Sequence, residues 1–160
     1  MRSSTSRSEG NRHWVAAALV VAIAGGAQAQ GSEPRQMGLQ FLEPELYAAI
    51  PEAPLPLAGP LPVAVDLSAD FPTPGDQGQQ GSCVGWAVGY ALKSFHEKRE
   101  RLWPLDSPEH LFSPAWVYNQ IRVTSGCTGG TYLKDALGLL TRDGAATWAD
   151  LPYDPCCCSV

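Results

Sequence analysis

Hydrophobic and polar positions along this chain change their rhythm twice. Trp14 to Ala24 is a nearly unbroken apolar run, Gln30 to about Ala64 holds no lasting period, and from Val65 onward real patterning begins. The clearest signal lies where Val84, Ala87, Val88, Ala91, Leu92 and Phe95 fall on one helical face while Lys93, Glu97, Lys98 and Glu100 lie towards the other. This predicts an amphipathic helix of about four turns whose first residue is Cys83 or its neighbour, with Trp86 in the core. Ser113-Pro114, a capping residue followed by proline at the first helical position, opens a second helix that runs through Trp116, Val117 and Ile121. A third starts near Thr131, carries Leu133, Ala136, Leu137 and Leu140, and stops at Gly144. Trp148 to Tyr153 reads as extended, and no internal repeat is visible.

The two earlier regimes have different meanings. Arg2, Arg7 and Arg12 precede the apolar run, which is too short to span a bilayer comfortably, and Ala27-Gln28-Ala29 supplies the small residues of a cleavage site. Residues 1–29 are therefore expected to be a signal peptide, and the mature protein to be secreted or periplasmic, where cysteines can pair. Residues 30–64, with stretches such as Pro51-Glu52-Ala53-Pro54-Leu55-Pro56, read as a linker or short pro-segment, because proline fixes φ and removes backbone donors. Within it, Leu39-Gln40-Phe41-Leu42 to Leu46-Tyr47 is an apolar patch able to dock on the domain C-terminal to it. Residues 65–160 form the one folded domain that the length allows. With 44% hydrophobic and 17% charged residues the chain can build a core, and its net charge of −5 without a basic stripe argues against nucleic acid as a partner.

Chemistry concentrates around Cys83. A thiol at a helix N-terminus meets unpaired backbone N–H groups and the positive end of the helix dipole, which favour the reactive thiolate. A nucleophile attacking a carbonyl also needs donors aimed at the oxyanion, and the side-chain amide of Gln77, across a glycine-rich loop, can supply one beside the cysteine's own N–H. A buried helix cysteine with no chemistry is the plain alternative, since free cysteines are often buried.

The segment Asp76-Gln77-Gly78-Gln79-Gln80-Gly81-Ser82-Cys83-Val84-Gly85-Trp86-Ala87 resembles the papain-like cysteine peptidases, in which a glutamine precedes the catalytic cysteine by six residues at the start of a long central helix. Three further stretches come in the family's order. Val65-Asp66-Leu67 resembles the start of the mature enzyme, Gly126-Cys127-Thr128-Gly129-Gly130 the loop that lines the substrate cleft, and Leu151-Pro152-Tyr153-Asp154 a Tyr-Pro-Tyr segment. The resemblance covers residues 65–160 and implies an α+β papain-like fold of which mainly the helical N-terminal lobe is present, the β-rich lobe being absent. It implies Cys83 as nucleophile and Gln77 as oxyanion donor. Gly129 and Gly130 would offer backbone to an extended peptide, and Tyr132 would line a side-chain pocket. The residue after the nucleophile, usually aromatic, is Val84 here. The usual half-cystine three residues before it is Gln80, so Cys127 loses its usual partner and would pair instead with one of Cys156, Cys157 or Cys158. No metal site and no cofactor is expected, and zinc binding by the triple cysteine run lacks a second ligand pair.

A cysteine peptidase also needs a base, in this family a histidine held by an asparagine. The resemblance places it about 130–150 positions after the cysteine, beyond Val160. Of the histidines present, His13 lies in the leader, His96 on the polar side of the central helix, and His110 before the second helix's cap; surface or capping roles suit the latter two. The expectation is a cysteine-type peptidase in its full-length form, acting as a monomer on peptide or protein substrates, with this piece inactive alone and no membrane contact after leader removal. The alternatives are a non-catalytic peptide- or cell-wall-binding homologue of the same fold, or another Cys/His hydrolase such as a wall-peptide amidase or bacteriocin-processing peptidase.

Overall fold

The computed structural model describes residues 35–54 and 59–155. The chain divides into two units, Met1–Ser32 and Glu33–Val160, and the described residues belong to the second. The expected signal peptide and the run Cys156, Cys157 and Cys158 lie outside them. In chain order the elements are β1 (Leu39–Gln40), α1 (Pro44–Ala48), a 3-10 turn (Ser68–Asp70), a π-helical segment (Gly85–Lys93) continuing directly into α2 (Ser94–Arg101), α3 (Pro114–Ile121), β2 (Thr131–Tyr132) and α4 (Leu133–Asp143). The π-helical segment, α3 and α4 pack on one another, beside one small parallel sheet in which Leu39 pairs with Thr131 and Gln40 with Tyr132.

The central helix begins at Cys83, as the periodicity predicts, but its first half is wound with i→i+5 bonds. The packing supplies a reason. Gly85 and Gly89 lie against α3 so closely that a Cβ on Gly85 would stand 2.6 Å from the Pro114 carbonyl oxygen, and one on Gly89 2.8 Å from Val117 Cγ2. The wider turns also change which side chains face inward. Val84, Val88 and Tyr90 are buried with the two glycines, whereas Ala87, expected on the apolar face, is exposed, and Ala91, Leu92 and Phe95 are only half-buried. Glu97, expected on the polar side, is buried between Lys93 and Arg101, each four residues away, and forms an ion pair with both. A buried carboxylate is tolerable only with such partners.

Val84, Val88, Val117, Ala136 and Leu139 make the core, with Cys83, Trp116, Ile121 and Leu140 packed against it. Each fully buried Val or Leu side chain of this set contributes roughly 1.5–3 kcal/mol. Ser113 caps α3 as its sequence implies, its Oγ accepting the Trp116 N–H at 3.1 Å. Helix α4 ends at Gly144, whose φ of +78° suits a residue without Cβ. Leu139 is buried there, while Leu133 and Leu137 are exposed.

Trp148 to Tyr153 is not extended throughout. Thr147 bridges Phe112 in antiparallel fashion, and the chain then turns, with the Asp150 carboxylate accepting from Thr147 Oγ1 at 2.7 Å and the Leu151 N–H donating to the Thr147 carbonyl. Short polar side chains that bond the nearby backbone favour such turns over a strand. The segment expected as a linker also carries regular structure in β1 and α1. Among the described residues no helix is long and apolar enough to cross a membrane.

Candidate functional site

Cys83 is a free thiol, half-buried at the first turn of the central helix. The Trp86 N–H donates to the Ser82 carbonyl at 3.0 Å, so Ser82 stands immediately outside the helix and Cys83 is its first residue. The loop that delivers it is fixed by three hydrogen bonds. The Gly81 N–H donates to the Cys127 carbonyl at 2.8 Å, tying the Gln77 loop to the Gly126–Gly130 loop. The Tyr153 hydroxyl donates to the Gln77 carbonyl at 2.8 Å, and because its one proton is committed there, Ser82 Oγ donates to Tyr153 Oη across 2.6 Å. Burial pushes the Tyr153 phenol above the usual tyrosine range, against the opposing pull of the Ser82 hydrogen bond, so it stays a donor. Its ring joins Trp86, Tyr90 and Trp148 in an edge-to-face aromatic cluster, with the Trp86 and Tyr153 centroids 4.9 Å apart.

The glycine loops meet without side chains between them. A Cβ on Gly81 would lie 2.9 Å from the Gly129 carbonyl oxygen. That carbonyl already accepts the Tyr118 hydroxyl at 2.7 Å, and the Gly130 carbonyl accepts the Val123 N–H at 2.9 Å. The Gly129 and Gly130 carbonyls are therefore engaged within the fold, while the donor presented to a neighbouring strand belongs to Thr131. It is occupied, since the Thr131 N–H donates to the Gly38 carbonyl at 2.7 Å. Tyr132 is half-buried and, with Phe41, Leu42 and Leu46, lines a hollow of about 210 Å³.

Gln77 is committed too. Its side-chain amide donates to the Gln36 carbonyl at 2.6 Å and to the Gln80 carbonyl at 3.1 Å, which uses both of its N–H groups. With residues 35–40 in this position the amide has no donor left for an oxyanion. Arg35 adds an ion pair to Asp76 at 2.7 Å.

The two described histidines are engaged elsewhere. His110 Nδ1 pairs with the Pro104 carbonyl at 2.9 Å with its ring tilted against Trp103, and His96 meets Phe95 edge-on. Cys127 is disulfide-bonded, and the partners expected for it lie outside the described residues. Among the described residues no cluster of His, Cys, Asp and Glu could hold a metal ion.

Sequence reasoning singled out Cys83, Gln77, Gly129, Gly130 and Tyr132, and the structure gathers the loops carrying the first four around Gly81. It passed over Gly38, Ser82, Tyr153 as a hydrogen-bonding residue, and Thr131. The glycine spacing of the Gln77 loop was a usable signal for close backbone approach there; nothing local marked Gly38. Compared with known proteins, no family model matches the chain, and no curated protein or solved structure does either.

Proposed function

We propose that this chain is the nucleophile-bearing part of a cysteine-type peptidase of papain-like fold, with Cys83 attacking peptide carbonyls and the oxyanion received by the Cys83 N–H and by the Gln77 amide, which gives up its bond to the Gln36 carbonyl to do so. The observation that carries the reading is the juxtaposition of a free thiol at the start of a helix with two interlocked glycine loops, one bearing Gln77 and the other ending in a strand edge. An imidazole takes the Cys83 thiol proton, the thiolate forms the C–S bond of an acyl-enzyme as the C–N bond breaks and the imidazolium returns that proton to the leaving amine, and water then cleaves the thioester to release the acid and restore the thiol. The imidazole comes from outside residues 35–155, in the β-rich lobe that the resemblance implies, and the product acts outside the cytoplasm. Residues 30–160 alone do not turn over peptide.

A second reading draws on one observation. The described histidines are engaged elsewhere and the strand edge already holds a peptide strand, as in a peptide-binding module that lacks the base. One experiment separates the two. The whole gene product, treated with an epoxide thiol probe, should be labelled at Cys83 with parallel loss of peptide hydrolysis, and Cys83→Ser should abolish both. Hydrolysis that survives Cys83→Ser would remove Cys83 as the nucleophile, and no hydrolysis together with unselective labelling would replace the peptidase by the binding module.

A further inference from the structure

Tyr153 draws the Ser82 hydroxyl away from the start of the central helix, and we infer that it is thereby a positioning residue, one that keeps the first backbone N–H groups of that helix uncapped and open to charge forming at Cys83. This rests on the proposed reading of Cys83 as the nucleophile; its test needs no peptide hydrolysis.

Two serines of this chain stand in the same place relative to a helix and are used differently. Ser113 precedes α3, and its Oγ accepts the N–H of the third helical residue, Trp116, at 3.1 Å. Ser82 precedes the central helix, its carbonyl accepts the Trp86 N–H, and the amide that corresponds there to Trp116 is that of Gly85. Both serines are fully buried. A serine before a helix ordinarily gives its oxygen to such an N–H. The Ser82 hydroxyl goes instead to Tyr153 Oη at 2.6 Å, and among the described residues the N–H groups of Cys83, Val84 and Gly85 have no hydrogen-bond partner. A helix start left open in this way keeps free donors and the positive end of the dipole beside the thiol.

The phenol that takes the hydroxyl is itself held. Its own proton goes to the Gln77 carbonyl at 2.8 Å, so it meets Ser82 as an acceptor. Its ring lies against Trp86, on the first turn of the same helix, and against Trp148, with centroids 4.9 Å and 6.3 Å away. One oxygen thus touches the loop at both ends, so the residue offered as oxyanion donor and the residue before the nucleophile are set by a single group.

Without the phenol oxygen the Ser82 hydroxyl is expected to turn back and cap its own helix. In the full chain, Tyr153→Phe should shift the Gly85 amide proton downfield, as a new hydrogen bond does. It should also slow iodoacetamide labelling of Cys83 near neutral pH, read at that residue by mass spectrometry, by roughly three- to tenfold. Tyr153→Phe combined with Ser82→Ala has no cap to offer, and its labelling should return to the parent rate. Ser82→Ala by itself should leave that rate unchanged. An unmoved Gly85 resonance overturns the proposal, as does slowing that persists in the double variant, since either makes Tyr153 a structural tether only. Should Tyr153→Phe fail to fold, Ser82→Ala decides alone: slowed labelling overturns the proposal, because the hydroxyl would then be serving the thiol instead of being kept from its helix. Labelling is measured without substrate, so a whole gene product that hydrolyses no peptide removes the peptidase reading and leaves these rates to decide the role of Tyr153.

Discussion

Glu97 shows how one residue is made compatible with a position its type disfavours. It is 5% exposed. Burial alone raises its carboxyl, but the Lys93 hydrogen bond and the charges of Lys93 and Arg101 outweigh that and leave it below the usual glutamate range. The unfolded chain therefore takes up this proton at a higher pH than the folded one. The stabilisation is present above the ordinary glutamate value of about 4.3 and is lost as the pH falls through the lower folded value. Urea midpoints should accordingly fall as solutions are acidified below about pH 4.3, and Glu97→Gln, which cannot titrate, should show a shallower fall. Equal slopes in the two proteins would assign the acid sensitivity to other carboxylates.

At the scale of elements, the π-helical segment and α3 are joined through glycine. Gly85→Ala should destabilise by about 1–3 kcal/mol, because the new methyl meets the Pro114 backbone and the helices must separate. Gly138, inside α4 with nothing within 4 Å of where an added methyl would sit, is the control: Gly138→Ala should stabilise by about 0.5–1 kcal/mol. Chemical denaturation of both variants checks the pair, and destabilisation by Gly138→Ala would count against the packing account. The same contrast explains what could be read from the sequence. The cap at Ser113, the stop at Gly144 and the helix start at Cys83 are local events, written within a few residues. The i→i+5 winding, the burial of Glu97 and the pairing of β1 with β2 are decided by backbones that approach from distant parts of the chain. A period-3.6 reading places Ala87 inside for that reason, and a proline-rich composition conceals β1. The loops of Gln77 and Gly129-Gly130 were legible as separate motifs; that Gly38 lies against both was not.

For the whole molecule, the Ser82–Tyr153–Gln77 chain of hydrogen bonds fastens the end of the described residues to the loop that sets Cys83. Tyr153→Phe keeps the ring in the aromatic cluster but leaves the Ser82 hydroxyl and the Gln77 carbonyl without this partner. It should cost about 1–3 kcal/mol, and exchange of the Gly81 amide, bonded to the Cys127 carbonyl, should quicken. A midpoint and a Gly81 rate both equal to those of the parent would show that the loop is held by its glycine contacts alone.

That attachment has a consequence for the order in which the molecule is made. A chain emerging N-terminus first exposes Cys83 long before Tyr153 exists to hold the loop in front of it. Residues 35–41 and the Gln77 loop, by contrast, are already available to each other. The segment that packs on the Gln77 loop is thus synthesised before the tether that fastens this loop from the other end of the described residues, so the loop in front of Cys83 can take up its first contacts without Tyr153.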